Sequence, residues 1–113
     1  MERQLWHKNS LSLAYHELRR SEEAVGYSRR ALSIVREIGD RHGEGITLTK
    51  LGAALCAEGR TETARRCWRD AVAILEGLAS PKAAEARMLL ERLYAGEKQI
   101  FGVWRALRHE QQG

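Results

Sequence analysis

Residues 43–80, which read GEGITLTKLGAALCAEGRTETARRCWRDAVAILEGLAS, contain the pattern that decides the fold. Apolar residues recur at three- and four-residue spacing in both halves of this stretch, which is the period of one face of a helix. Gly59 separates the two halves, and glycine suits the left-handed conformation that follows a helix C-terminus. Thr61 is a natural N-cap for the second half. The stretch therefore predicts two helices joined by a tight turn.

An earlier copy of this pattern precedes the stretch at an offset of 40 residues. Without a gap, Leu11 aligns with Leu51 and Ile34 aligns with Ile74. Ser21 takes the place of Thr61 and is the expected N-cap of the second helix in this copy. Self-similarity at such a period is the signature of a repeat architecture in which helical hairpins stack on one another.

A third, incomplete copy follows the first two. Pro81 favours a helix start, residues 83–95 are helical in composition, and Gly96 is expected to end that helix. A last amphipathic helix is predicted because four apolar residues share one face: Ile100, Val103, Trp104 and Leu107. The ends of a helical stack expose apolar surface. This face is therefore expected either to cap its own stack or to pack on a second chain in a homodimer.

The length of 113 residues suits one domain that spans residues 1–113. Its predicted parts are hairpin one at about 3–38, hairpin two at about 43–78, and the partial repeat with the end helix at about 81–110. A single proline and the absence of alternating β-branched runs favour an all-α fold.

The charge pattern gives little reason to expect a nucleic-acid partner. Lysine and arginine number 19 against 15 acids, a formal net charge of +4. Five arginines are predicted to form an outer basic face: Arg29, Arg30, Arg65, Arg66 and Arg69. They lack the interleaved aromatic residues that nucleic-acid binding would need, so ordinary solvated helix surface is the expected role.

The cellular location and the absence of catalytic or metal-binding chemistry are predicted from the motifs that the sequence contains and lacks. No segment approaches the roughly 20 apolar residues of a membrane span, and the N-terminus does not resemble a signal peptide. A cytoplasmic location with free thiols at Cys56 and Cys67 is expected. No catalytic motif and no metal-ligand spacing such as Cys-x-x-Cys occurs. We expect no enzyme activity, no metal and no cofactor.

At the residues quoted above, the sequence resembles the tetratricopeptide repeat family. The second copy has the family residues at the family spacing: Leu48, Leu51, Gly52, Leu55, Ala64, Trp68 and Ala71. The first copy departs from the pattern at Lys8, Ser12 and Ser28. The resemblance implies that small residues let paired helices approach closely and that Trp68 fills the space between hairpins.

The resemblance also implies a right-handed superhelix, with a groove on its inner face that binds a protein or peptide. Family positions place eight groove residues: Trp6, Asn9, Leu13, His16, Thr49, Lys50, Ala53 and Cys56. Arg87 of the third copy is a further candidate.

The longer period, with its junction IGDRHGEG at residues 38–45, is similar to a narrower group of repeats. These lie at the C-termini of large bacterial signalling ATPases and of antibiotic-regulatory proteins of actinomycetes. This resemblance implies the sensor or scaffold part of a transcriptional or signalling regulator. The chain has no phosphate-binding loop ending in Gly-Lys-Ser/Thr. A self-associating structural element that dimerises through its C-terminal helix remains the alternative.

Overall fold

A computed structural model describes the backbone of residues 2–112 and the side chains of residues 16–97. Four α-helices follow one another: α1 Glu2–Glu37, α2 Arg41–Ala57, α3 Thr61–Gly77 and α4 Ala83–Gln112. Each helix packs on the next along the chain, and the short turns between them make neighbouring helices antiparallel. No strand occurs within residues 2–112. The predicted all-α fold of antiparallel hairpins is confirmed.

The three turns share one geometry and recur every 20 residues. Their left-handed residues are Gly39 at φ 74°, Gly59 at φ 86° and Ala79 at φ 53°. At the second turn the amide of Arg60 donates to the carbonyl of Leu55 at 2.9 Å, and that of Gly59 donates to Cys56 at 3.0 Å. The same pair of hydrogen bonds occurs at the other two turns. This is the Schellman arrangement, which satisfies the last carbonyls of each helix.

The helix starts differ in their caps. Asp40 is the N-cap of α2, and its carboxylate accepts a hydrogen bond from the amide of Gly43 at 2.9 Å. Thr61 was predicted as the N-cap of α3, but it is the first residue of that helix. Arg60 occupies the cap position, with no side-chain hydrogen bond.

The first copy does not form two helices, because α1 runs without interruption through the predicted break at Ser21. The hydroxyl of Ser21 donates to the carbonyl of Glu17 at 3.0 Å, a bond within the helix and not a cap. Arg19 stands where the 20-residue series of turns would require a left-handed residue. That conformation costs a non-glycine residue roughly 1–2 kcal/mol, so the helix continues.

The predicted break at Gly96 is also wrong, since α4 continues through it. A lone glycine inside a helix costs about 1 kcal/mol and does not by itself end it. Ala79 does form a turn, and Pro81 stands two residues later; the residue before a proline, here Ser80, is disfavoured in a helix. The end-helix candidates are Ile100, Val103, Trp104 and Leu107, whose side chains lie outside the described residues. Their role as a cap or a dimer contact stays a prediction.

The core lies along the seam between α2 and α3. Leu55 and Leu75 are the largest fully buried side chains, and Ala64 and Ala71 are also fully buried. Gly52 lies against the ring of Trp68, where an added Cβ would come within 2.6 Å of Cδ1. The indole nitrogen of Trp68 donates to the carbonyl of Thr49 at 3.0 Å, so the buried ring is fully satisfied.

Contacts on the two sides of this hairpin differ in polarity. On the first side, Val25 and Leu32 of α1 are buried in the core. On the other side Arg65 stands at the position equivalent to Val25. Its guanidinium bonds Glu62 at 2.9 Å, pairs with Glu97 of α4, and lies 5.3 Å from the Tyr94 ring centroid. The junction with α4 is therefore partly ionic.

Replacing Gly52 with Ala is expected to lower the free energy of unfolding by up to about 2 kcal/mol. The added methyl overpacks the Trp68 ring at a cost of about 1–3 kcal/mol, and the gain in helix propensity of about 1 kcal/mol offsets only part of it. Gly26→Ala is the matched control, because a Cβ there meets nothing within 4 Å. It should raise stability by up to about 1 kcal/mol. Urea unfolding followed by circular dichroism measures both, and shifts in the same direction would contradict the packing explanation.

Candidate functional site

A recess between α2 and α4 is the best-formed site near the predicted groove. It is lined by Ile46, Thr49, Lys50, Lys82 and Glu85. Thr49 and Lys50 are groove residues that the family resemblance predicted. Lys82 and Glu85 were not predicted. The recess thus lies between α2, the first helix of the second copy, and the beginning of α4.

Thr49 shapes the recess but contributes little hydrogen-bonding capacity. It is buried, and its hydroxyl donates to the carbonyl of Gly45 at 2.9 Å. Its own carbonyl accepts the indole hydrogen of Trp68. Lys50, the next residue, is exposed. The α2 side of the recess therefore offers the exposed ammonium group of Lys50 beside a Thr49 hydroxyl that is already engaged.

The remaining α2 candidates extend the same helix face beyond the recess. Ala53 is exposed and Cys56 is half-buried. They follow Thr49 at four- and seven-residue spacing, which keeps all three on one face. Neither lines the recess itself.

His16, a candidate from the first copy, is not brought beside α2. His16 lies on the exposed surface of α1, which runs away from the turn at Gly39 and does not fold back. Trp6, Asn9 and Leu13 have side chains outside the described residues.

The α4 side of the recess differs from the expectation for the third copy. Arg87 does not line it, and pairs with Glu76 of α3. Lys82 and Glu85 belong to the turn and the first helical turn that follow Pro81. At one end His42 bonds the hydroxyl of Ser80 at 3.0 Å, and this joins the start of α2 to the turn before α4. The proline marked this helix start in the sequence, but only packing shows which part of α2 it faces.

A family model for the tetratricopeptide repeat matches residues 3–77. The chain belongs to the tetratricopeptide repeat family. The matched segment covers the whole of the α2–α3 hairpin, where the motif residues are buried. The residues that carried the family resemblance thus lie within the matched segment and form the observed α2–α3 hairpin.

Two curated relatives are regulatory proteins of actinomycetes, as the longer period predicted. Regulatory protein AfsR of Streptomyces griseus is 36% identical over 92 residues, which cover 78% of this chain and 9% of that protein. Regulatory protein AfsR of Streptomyces coelicolor is 38% identical over 72 residues, which cover 64% of this chain and 7% of that protein. The chain therefore spans less than a tenth of these relatives. No solved structure matches the chain.

The tetratricopeptide motif residues of the second copy are all buried. They are Leu48, Leu51, Gly52, Leu55, Ala64, Trp68 and Ala71. The small residues stand where α2 and α3 approach, as the Trp68–Gly52 contact shows. These residues build the scaffold behind the recess and do not face it.

A buried carboxylate ties α1 to α2 on the other side of the hairpin. Glu44 accepts hydrogen bonds from Arg36 at 3.0 Å and Arg41 at 2.9 Å. The bond from Arg36 is the main reason that the pKa of Glu44 lies below its ordinary value, with Arg41 acting in the same direction and burial opposing both. The side chains of Arg36 and Arg41 are half to two-thirds exposed. The network therefore links α1 to α2 at the edge of the core, where solvent reaches the arginines.

The two cysteines are free thiols with different surroundings. Cys67 is buried in α3, whereas Cys56 is half-buried in α2. Burial raises the pKa of the Cys67 thiol, and the negative charge of Asp70 raises it further. Arg29 and Arg36 of α1 act in the opposite direction. A raised pKa lowers the thiolate fraction, which is the reactive form.

The outer arginines are engaged with tyrosines of the same chain. Arg69 donates to the hydroxyl of Tyr94 at 2.9 Å. The guanidinium of Arg30 lies 5.8 Å from the centroid of the Tyr27 ring. Together with the inward-turned Arg65, three of the five predicted surface arginines have contacts of this kind.

The side chains of residues 16–97 contain no group of three or more histidines, cysteines or acids placed to hold a metal ion. None of the described helices combines the length and apolar character needed to cross a bilayer.

The Glu44 network predicts a specific loss of stability in acid. A carboxyl whose pKa is lowered in the folded state stabilises that state above its unfolded pKa, about 4.3. This contribution is lost as the pH falls through the lower native value. Glu44→Gln should therefore unfold with a flatter pH dependence below about pH 4.3 than the wild type. Glu22→Gln, at an exposed site on α1, is the control and should keep the wild-type profile. Equal profiles for all three proteins would contradict this role.

The cysteines predict two distinct labelling rates at neutral pH. Cys56 should react with a thiol reagent such as DTNB about tenfold faster than Cys67, which is buried and has a raised pKa. Cys56→Ser should abolish the fast phase and Cys67→Ala the slow one. A single fast phase for both thiols would show that Cys67 is accessible in solution.

Proposed function

We propose that this chain is a non-catalytic protein-binding module that holds an acidic, extended segment of its partner along the α2 face. Tetratricopeptide repeats generally mediate protein–protein interaction, and the chain belongs to that family. The observation that carries the proposal is the recess between α2 and α4, which is lined by two lysines, one glutamate, a threonine and the apolar Ile46.

The chemistry of the recess favours a carboxylate ligand. Lys50 and Lys82 contribute two positive charges against the one negative charge of Glu85. Ile46 adds apolar surface to the lining, and Thr49 completes it. A partner side chain with an aliphatic stem and a carboxylate would fit both features. Ala53 and Cys56 extend the surface along α2 and would contact the following residues of the segment.

The groups in the recess are arranged for binding. The hydroxyl of Thr49 is held by its own helix, so it is not presented as a nucleophile. The lysines lie at the rim and can move to meet a ligand. Such charges steer association and set partner preference.

The outer basic face supports a protein partner over a nucleic acid. Arg30, Arg65 and Arg69 contact tyrosines on their own chain, which ties up their guanidinium groups and part of the aromatic surface. A nucleic-acid site would present such rings to the bases.

The biological setting follows from the relatives. Both are named regulatory proteins of Streptomyces, and the chain matches under a tenth of each. We infer that the chain serves as a sensor or scaffold segment of a transcriptional or signalling regulator in the cytoplasm. Its partner would be another part of that regulator or a protein that controls it.

The experiment measures the binding of defined peptides by fluorescence anisotropy. The probes are fluorescent ten-residue peptides of one apolar framework that carry glutamate, glutamine or lysine at alternate positions. The glutamate peptide should bind best. Lys50→Glu and Lys82→Glu should each weaken it about five- to tenfold, as expected when a rim charge is reversed, and added salt should weaken wild-type binding.

Arg66→Glu is the matched control, because it makes the same charge change on the exposed surface of α3, away from the recess. It should bind the glutamate peptide with nearly wild-type affinity. If all three variants weaken binding equally, only net charge matters and the recess is not the site. Equal binding of the three peptides to the wild type would also refute the proposed preference.

A further inference from the structure

One face of α1 exposes apolar side chains that α2 does not cover. This open face consists of Ala24, Tyr27, Ala31 and Ile34, which follow one another at three- and four-residue spacing. Tyr27 is 69% exposed and Ile34 is 57% exposed. Val25 and Leu32, which are buried in the core, lie on a different side of the same helix. Exposed rows of this kind mark surfaces that take a partner.

The internal repeat shows what kind of element such a face receives. The residues 40 positions later, Cys67 and Ile74 of α3, are only 8% and 9% exposed. For Ile74 the cover is α2, which packs along α3 and brings Gly45 opposite the Ile74 side chain. The open face on α1 thus corresponds in the repeat to the face of α3 that the antiparallel helix α2 covers.

The chain's own N-terminal segment does not cover this face. In a hairpin like the second one, residues 3–20 would fold back along it. They instead prolong α1, because Arg19 replaces the left-handed residue that the turn needs. A continuous helix rises about 1.5 Å per residue, so this segment leads away from the open face.

We propose that two copies of the chain pair through α1, antiparallel about a two-fold axis at Arg20, so that each open face receives the N-terminal segment of the other copy. Trp6, Leu13, Arg20, Tyr27 and Ile34 stand at seven-residue steps in the sequence. Such steps follow one stripe of a helix that pairs with another. With the axis at residue 20, position 6 of one copy faces Ile34 of the other, and position 13 faces Tyr27.

Charges near the axis suit the antiparallel arrangement. Arg20 lies between Glu17 and Glu23, three residues away on either side. In the pair, Arg20 of each copy would lie one helical turn from the partner's Glu17 and the partner's Glu23. Each arginine would thus have opposite charges nearby. These attractions offset the repulsion between the two arginines at the axis and that between Glu17 and the partner's Glu23, which the same axis brings opposite each other.

The rest of the fold leaves room for this pairing. Val25 and Leu32 of α1 are buried in the core, so the rest of the fold lies on their side of α1. In a helix of 3.6 residues per turn, that side is nearly opposite Tyr27 and Ile34. The second copy therefore approaches α1 from outside the stack and leaves the recess between α2 and α4 open. The inference does not depend on the proposed peptide binding.

The test uses light scattering on the full chain over a range of concentrations. The wild type should be a dimer. The double variant Tyr27→Glu/Ile34→Glu should raise the dimer dissociation constant about a hundredfold, because pairing would bury unpaired carboxylates. Both side chains are exposed in the single chain, so circular dichroism should remain that of the folded protein. Met88→Glu is the matched control, since Met88 is 46% exposed on α4 and should leave the dimer unchanged.

A cross-link locates the axis independently. Arg20→Cys should form a disulfide between copies in air on a non-reducing gel, because a residue at a two-fold axis meets itself. Ser33→Cys, exposed on the other side of α1, should not. A wild type that stays monomeric at high concentration would overturn the proposal. So would equal cross-linking of both variants, or a dimer that survives the double variant and is lost in Trp104→Glu, which would place the contact on the C-terminal helix.

Discussion

The close contact between Trp68 and Gly52 determines how α2 and α3 pair, and α1 and α4 pack on that hairpin. The large ring fits because Gly52 has no side chain, and the hydrogen bond from its nitrogen to the Thr49 carbonyl fixes it in one orientation. This contact sets the distance between α2 and α3. The α4 helix packs on α3, so the same contact decides where Lys82 and Glu85 lie relative to Lys50. The recess thus depends on a residue that does not line it.

A second constraint, the left-handed residue every 20 positions, divides the chain into helices. This left-handed conformation occurs at Gly39, Gly59 and Ala79. At the last of these turns, Pro81 also disfavours continuation of the helix. Arg19 does not adopt the left-handed conformation, and one long α1 results. The same local fact accounts for two consequences: His16 is separated from the α2 face, and an apolar face of α1 lacks the helix that covers its equivalent on α3.

Several arginines form ion pairs that hold helices together, whereas the two lysines of the recess, Lys50 and Lys82, form no ion pair with the described residues. Arg36 and Arg41 hold Glu44, and Arg65 holds Glu62 and Glu97. Guanidinium groups suit this role because their planar donors bind carboxylates in fixed geometry. Lys50 and Lys82 carry compact charges on flexible stems at the edge of the recess. This division supports a binding surface whose preference is electrostatic and whose shape is set by the core.

The sequence by itself determined the helical class, the α2–α3 hairpin and its buried motif, because helix period, glycine turns and small-to-large packing are local signals. The family resemblance named Thr49 and Lys50, which line the recess, and their part in binding stays a prediction. The sequence did not show the fusion of two expected helices into α1, since Ser21 can serve as a cap or as an interior residue, and the outcome depends on whether Arg19 accepts a left-handed turn. Only the tertiary structure brought Lys82 and Glu85 beside α2, because residues about 32 apart meet through helix packing that no local pattern encodes.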